Sequence, residues 1–515
     1  QLYYKFHQGD KGGHLMKKKT IWFSLLLGLF SLVLVACSSS KSVTETTETA
    51  TTEEVVSGAT VREYTDPSKI KDSYDVIVVG SGGAGMAAAI SAKDAGADVA
   101  IFEKMPVIGG NTSKSSGGMN ASETKFQKEQ GIEDSNDLFY EETLKGGKGT
   151  NDPDLLRYMV ENSAGAIDWL DSMGIRLNKI TFSGGFSVAR IHRPEDGSAV
   201  GGYLVNGLYY NLMEREVPIF VNAEVTDLTD KDGAVTGVTL KLDGKEKTIK
   251  AKAVVLATGG FGSNMDMITK FKPELEGYVT TNHEGATGDG IALAEEEGAE
   301  TVQMDQIQIH PTVYQETSYL VSEAVRGEGA ILVNNEGKRF YNEMETRDMV
   351  SAAINALPDH YAYVVFDQAL RERATAIEQY DEMGMVIKGE TVADLAKEIG
   401  VPEDNLVATL ETWNQYVAEK NDTEFGRTTG MEHDLSKGPY YAIKVAPGIH
   451  HTMGGLKINT KTEVLKKDGT AIPGLYAAGE VTGGVHGSNR IGGNAVADII
   501  IFGRQAGSQS AEYSK

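Results

Sequence analysis

Asp75-Val76-Ile77-Val78-Val79-Gly80-Ser81-Gly82-Gly83-Ala84-Gly85 is the stretch on which the fold turns. The run through Val79 is continuously apolar, as in a strand buried on both faces. Gly80, Gly82 and Gly85 then spell GxGxxG, and an alanine-rich helix follows through about Ala95. A second strand, Asp98 to Phe102, ends on the acid Glu103. In that order the first glycine makes the turn and the second lets backbone approach a pyrophosphate. The third lets helix and strand pack closely. The pyrophosphate sits on the helix N-terminus, and Glu103 accepts from ribose hydroxyls. A glycine-rich turn without a ligand leaves the strand, helix and acid unexplained.

Further out, Glu103-Lys104 leads into Gly109-Gly110-Asn111-Thr112 and Ser115-Ser116-Gly117-Gly118-Met119-Asn120. A strand at Ala253 to Ala257 ends in Thr258-Gly259-Gly260, and Gly474-Leu475-Tyr476-Ala477-Ala478-Gly479-Glu480 is another strand ending on glycine. These segments resemble the two-dinucleotide-binding-domain flavoproteins. The resemblance implies a Rossmann-like α/β fold that binds FAD, with an inserted α+β capping domain. The expected boundaries are 74–304 and 452–515 for the two parts of the FAD domain and 305–451 for the cap.

The 515 residues suffice for two or three domains, and the 59 glycines suit a backbone that passes close to a large ligand. A formal charge of −24 argues against a nucleic-acid partner, and an anionic substrate needs a local positive pocket. Cys37 is the only cysteine, which excludes a disulfide framework, a thiolate metal cluster and covalent c-type haem.

From Met16 the chain reads Lys17-Lys18-Lys19, an apolar stretch from Ile21 to Val35, then Leu34-Val35-Ala36-Cys37. A basic head, a short apolar segment and a small residue before cysteine form a secretory signal. The ending resembles the lipobox of bacterial lipoproteins, which implies cleavage after residue 36, lipid on Cys37 and a place on the extracytoplasmic face of the cell membrane. Residues 1–15 are expected to be a misplaced start, because Lys11-Gly12-Gly13 reads as a translated ribosome-binding sequence. Ser38 to Thr60 is rich in Ser, Thr, Glu and Val, so residues 37–73 are expected to be anchor and disordered tether.

Five more stretches carry a closer resemblance. They are Ile309-His310-Pro311-Thr312, Ser322-Glu323-Ala324-Val325-Arg326-Gly327, Glu345-Thr346-Arg347-Asp348, His450-His451-Thr452-Met453-Gly454-Gly455, and His486-Gly487-Ser488-Asn489-Arg490-Ile491-Gly492-Gly493-Asn494. From Tyr74 to Gly507 the chain is similar to the soluble fumarate reductases, including the flavin part of flavocytochrome c. Adding hydride and proton across the double bond of a dicarboxylate needs both carboxylates clamped, and forked or charge-assisted hydrogen bonds suit that task. The resemblance implies that Arg490 and His451, beside Gly493, hold one carboxylate, and that His310 and Ser322 hold the other. It implies Arg347 as proton donor, reprotonated through Glu323 and Arg326. An arginine is an unusual acid, since its free pKa lies far above neutrality. Ser322 replaces the family's usual Thr and keeps the hydroxyl. For the cofactor the resemblance points to Ala84, Glu103, Asn111, Thr112, Gly117, Gly118, Val225, Asp289, Glu480, Ala495 and Val496. Ser113-Lys114-Ser115-Ser116 lacks the histidine of covalently flavinylated relatives, so FAD is expected to be non-covalent.

Taken singly, these residues have plainer roles. Glu323 and Arg326 suit a helical surface pair, Arg347 a solvated loop charge, and His310 a structural histidine. Their joint order and spacing favour the site. The leading expectation is an exported reductase of fumarate or a close unsaturated acid, fed by a membrane-bound donor. Its rivals are a urocanate or acrylate reductase and a non-catalytic FAD-containing lipoprotein. Glu54-Val55-Val56-Ser57-Gly58-Ala59-Thr60 also resembles the flavinylation signal of exported FMN proteins, which implies FMN esterified to Thr60. A Ser/Thr-rich tether that happens to contain Gly-Ala fits the same residues. About fourteen residues then separate Thr60 from the first strand, giving a flexible flavin roughly 20 Å of travel.

Overall fold

A computed structural model describes residues 62–515. The signal, Cys37 and Thr60 lie outside the described residues. The apolar run forms the strand Ser73–Val79, central in an eight-stranded sheet. It pairs in parallel with Val99–Phe102 on one side and Lys245–Leu256 on the other. Ile219–Phe220 and Ala471–Ala477 extend the parallel sheet at its two flanks. Such a strand is covered on both faces, so a nearly unbroken Val/Ile run is stable there. The helix Gly83–Asp94 packs against the C-terminal helix Asn494–Tyr513. Alanines and glycines make that contact close: a Cβ on Gly507 would lie 2.1 Å from the Ala88 carbonyl oxygen.

A second sheet of six strands forms the cap and has its own core, centred on residues such as Val364, Phe366 and Trp413. Its strands Ile307–Tyr314 and Tyr440–Thr452 pair antiparallel, and their ends Ile307 and Ile449 belong to the core of the FAD body. This ribbon therefore carries both bodies and brings His310, His450 and His451 to the seam between them.

The tether expected over 37–73 ends earlier than that. Arg62 donates to Asn206 Oδ1 at 2.7 Å, and Glu63 and Tyr209 exchange hydrogen bonds. Thr65 bonds Ile219 through both its backbone and its hydroxyl. Residues 62–73 thus belong to the folded body, because five polar groups there find partners on it. The about fourteen residues on which roughly 20 Å of travel rested are therefore not free, since 62–73 are held on the body.

Candidate active site

A cleft opens beyond the carboxyl ends of the parallel strands. Gly80 has φ +101°, and a Cβ there would lie 2.3 Å from the Ala257 carbonyl oxygen, so only glycine makes this turn. A Cβ on Gly85 would lie 2.0 Å from the Gly80 oxygen. Gly82 differs: its nearest protein atom would be Thr112 Oγ1 at 3.6 Å. The protein itself tolerates a side chain at Gly82, and the space it would fill belongs to a ligand. Glu103 Oε2 accepts from both the amide and hydroxyl of Ser81, while Oε1 accepts from Met105 N–H. One lone pair on Oε1 is left for a ribose. Thr112 Oγ1 accepts from Gly83 N–H at 2.9 Å and keeps its own proton to donate.

Ala84, Asn111, Val225, Asp289 and Glu480 also line the cleft. Asn111 is oriented by Asn282 and His283, and Asp289 by Lys104 at 2.6 Å. The remaining expected contacts lie elsewhere, at a second junction. Asn120, next to the Gly117-Gly118 turn, donates to Gly492 O at 2.7 Å and Asn494 Oδ1 at 2.8 Å. That join brings Gly117 and Gly118 toward Gly493, Ala495 and Val496 at the start of the C-terminal helix. A glycine cradle and a helix N-terminus on parallel strand ends fit an adenine dinucleotide such as FAD.

At the seam the expected catalytic residues converge, and all are buried. The hydroxyl oxygen of Ser322 caps the one-turn helix Glu323–Gly327, accepting from Ala324 N–H, and its own proton is free to donate. Tyr380 Oη accepts from Ser322 N–H at 2.9 Å. Glu323 lies between two guanidinium groups, Arg326 Nη2 at 3.7 Å and Arg347 Nη2 at 3.5 Å. Neither the surface pair nor the solvated loop charge describes them, since Arg326 is 1% exposed and Arg347 8%. Gly492 packs on this pair: a Cβ there would lie 2.2 Å from Glu323 Oε2.

The unpaired donors matter most. His310 Nδ1 accepts from Thr312 N–H at 3.2 Å, so in the neutral ring Nε2 carries the proton. Nε2 is buried without a partner, as are Nε of Arg347, Nε of Arg490 and Nε2 of His451. Buried donors are normally satisfied, and several orphans in one place call for a polyvalent acceptor. Burial, and then the Arg347 guanidinium, hold the His310 pKa well below its ordinary value. Burial followed by Arg347 also lowers Arg490 to about 9, and burial lowers Arg326 to about 10. Each pays for lost hydration, and a bound dianion would restore the balance. Burial raises Glu480, whose Oε1 lies 3.5 Å from His451 Nδ1.

Two residues escaped the sequence expectations. Successive side chains of a strand point to opposite faces. His450 sits beside His310, ring centroids 5.2 Å apart, with Nδ1 bound to Thr281 Oγ1. His451 turns instead toward His486 and the cofactor-side Glu480. Of the pair, His450 is therefore the one that meets His310, while His451 keeps the unpaired Nε2. Gln308 is the other residue missed: its amide donates to Asn489 Oδ1 and Arg490 O, and its carbonyl accepts from Arg347 Nη1 at 3.4 Å. Its place two residues before His310 on one strand was a signal available in the sequence.

The FAD binding domain family matches residues 75–496. The NADH:fumarate oxidoreductase of Klebsiella pneumoniae is 56% identical over 444 residues, which cover 86% of this chain and 48% of that protein. The chain thus spans about half the length of that relative. The fumarate reductase (cytochrome) of Shewanella frigidimarina is 47% identical, covering 86% of this chain and 78% of its own. A urocanate reductase of Eggerthella lenta is 38% identical over 86% of this chain. The open conformation of a flavocytochrome c3 fumarate reductase superposes with TM-score 0.72 at 43% identity, covering 87% of this chain and 79% of that one. The chain belongs to the FAD binding domain family, among its fumarate reductase flavoproteins.

Proposed function

We propose that the protein reduces the C=C bond of fumarate or a close unsaturated dicarboxylate. The observation that carries this is the set of buried, unpaired donors on His310, Arg347 and Arg490, joined through Gln308. His310 and Ser322 take one carboxylate, and Arg490 with His451 takes the other. Bound FAD, when reduced, supplies a hydride. Arg347 holds a proton at a guanidinium nitrogen for the other alkene carbon, and Glu323 returns one to it. Closure of the cap excludes water from these groups. Urocanate and acrylate offer a single carboxylate, so a clamp with donors at both ends favours a dicarboxylate. The test is an alkene-acid panel against chemically reduced, FAD-loaded protein. Fumarate should reoxidise it fastest, and faster reoxidation by urocanate or acrylate would reassign the substrate.

The export signal supports a lipid-anchored enzyme on the extracytoplasmic face, fed by a membrane-bound donor. Among the described residues no helix is long and apolar enough to cross a membrane. The proposed attachment is a lipid on Cys37, read from the signal that precedes it. FMN on Thr60 is proposed as the entry point for electrons.

A further inference from the structure

Packed against Arg326, the cap buries four more charged side chains: Arg339, Glu343, Asp422 and Arg427. Arg339 donates to both oxygens of Glu343, at 2.7 and 2.8 Å, and to Asp422 Oδ2 at 2.9 Å. Arg427 donates to Glu343 Oε2 at 3.2 Å. The guanidinium groups of Arg339 and Arg427 each lie 4.6 Å from the ring of the buried Trp413. Apolar side chains of similar volume commonly serve stability as well as such a buried cluster, so its geometry points to another use.

Two bonds show where that geometry is spent. Arg326 Nη1 donates to the main-chain carbonyl of Glu343 at 2.6 Å. Arg427 Nη2 donates to the main-chain carbonyl of Arg326 at 2.7 Å. Glu343 and Arg427 are bonded to each other and hold Arg326 at both ends, one by its guanidinium and one by its backbone. Arg326 sits in a helix of one turn, Glu323–Gly327, which by itself would place a long side chain loosely. Held this way, its Nε and Nη2 stay unpaired, with Nη2 3.7 Å from Glu323 Oε1.

We propose that Glu343 and Arg427 are positioning residues of the proton relay, holding the free N–H groups of Arg326 toward Glu323. This rests on Arg347 as proton donor. In each turnover an N–H bond of Arg347 breaks as the substrate C–H forms, with the hydride at the other carbon supplied by FAD when bound and reduced. An Arg326 N–H proton passes to the Glu323 carboxylate, Glu323 hands a proton on to Arg347, and water restores Arg326. The net proton comes from solvent. At 3.7 Å the Arg326–Glu323 pair is already beyond a hydrogen bond and must close slightly to transfer, so a small displacement of Arg326 slows it.

The test uses FAD-loaded Glu343→Gln and Arg427→Lys, reduced by methyl viologen, with fumarate as oxidant. Fumarate kcat should fall about tenfold to a hundredfold with KM within about twofold, and the D2O effect on kcat should rise. Reoxidation of the reduced flavin by dioxygen does not draw on this relay and should stay within about twofold of wild type. Unchanged kcat overturns the inference. So does a KM that moves with kcat, or a parallel loss of dioxygen reoxidation, which marks a merely structural role. If neither variant retains FAD, Asp422→Asn decides by the same measurements, since Asp422 reaches Arg326 only through Arg339, Glu343 and Arg427. Turnover by Arg347→Lys would refute the underlying donor role. A dead Arg347→Lys beside fully active cluster variants would refute this inference alone.

Discussion

Replacing His310 by Ala removes a single donor whose direction the structure defines. Thr312 N–H occupies Nδ1, so Nε2–H is the group presented to a ligand, and it is buried with no protein partner. The bond lost is one from a neutral donor to a carboxylate, worth roughly 1.5–3 kcal/mol when the acceptor is left unpaired. At about 1.4 kcal/mol per factor of ten, kcat/KM for fumarate should fall by about tenfold to 150-fold. Water entering the space left by the ring pushes the result toward the lower figure. The assay pairs steady-state fumarate reduction by viologen-reduced protein with succinate binding to the oxidised form, followed by flavin absorbance. Both should weaken together while FAD content holds. The pH dependence is a second arm. Because burial keeps His310 neutral, wild-type affinity should show no rise as pH falls through about 6.5, where an imidazolium ligand would tighten binding. Affinity and kcat/KM within twofold of wild type in FAD-loaded His310→Ala would remove His310 from the clamp.

Arg347→Lys should nearly abolish fumarate reduction with FAD retained, because an ammonium places its proton differently and loses the bond to Gln308; turnover within tenfold of wild type would refute the donor role. His192, fully buried, has a pKa lowered to about 4, chiefly by burial. A lowered histidine pKa means the unfolded chain takes up the proton first as pH drops below about 6.5, so stability should decline from there to about pH 4. The slope is at most about 1.4 kcal/mol per unit from this residue, with His310, His450 and His451 acting in the same sense. A melting temperature that stays flat between those values would contradict it. Cys37→Ser should move the exported protein from the detergent to the aqueous phase, and wild-type protein found wholly in the aqueous phase would count against the anchor. Intact mass of protein made with a flavin transferase should show an FMN-sized addition that vanishes in Thr60→Ala.

The parallel fold was legible because its signals are local. Val76 to Val79, the spacing of Gly80, Gly82 and Gly85, and Glu103 one strand later each follow from a strand buried on both faces and a backbone turned under a phosphate. The residue types of the site were legible for the same reason, since a dicarboxylate demands donors at both ends. What sequence order alone left undecided was the side of a strand and the extent of order. His450 and His451 are neighbours in the chain and equal in chemistry, and only the pairing of Tyr440–Thr452 with Ile307–Tyr314 decides which of them meets His310. Composition marked residues 37–73 as a tether, yet Arg62, Glu63 and Thr65 find partners some 140 residues or more away on the folded body. The cluster of Arg339, Glu343, Asp422 and Arg427 carries no local motif at all. It exists because the cap folds Asp422 and Arg427 back onto Arg339 and Glu343, and long-range burial is what turns four ordinary charges into a fixed support for Arg326.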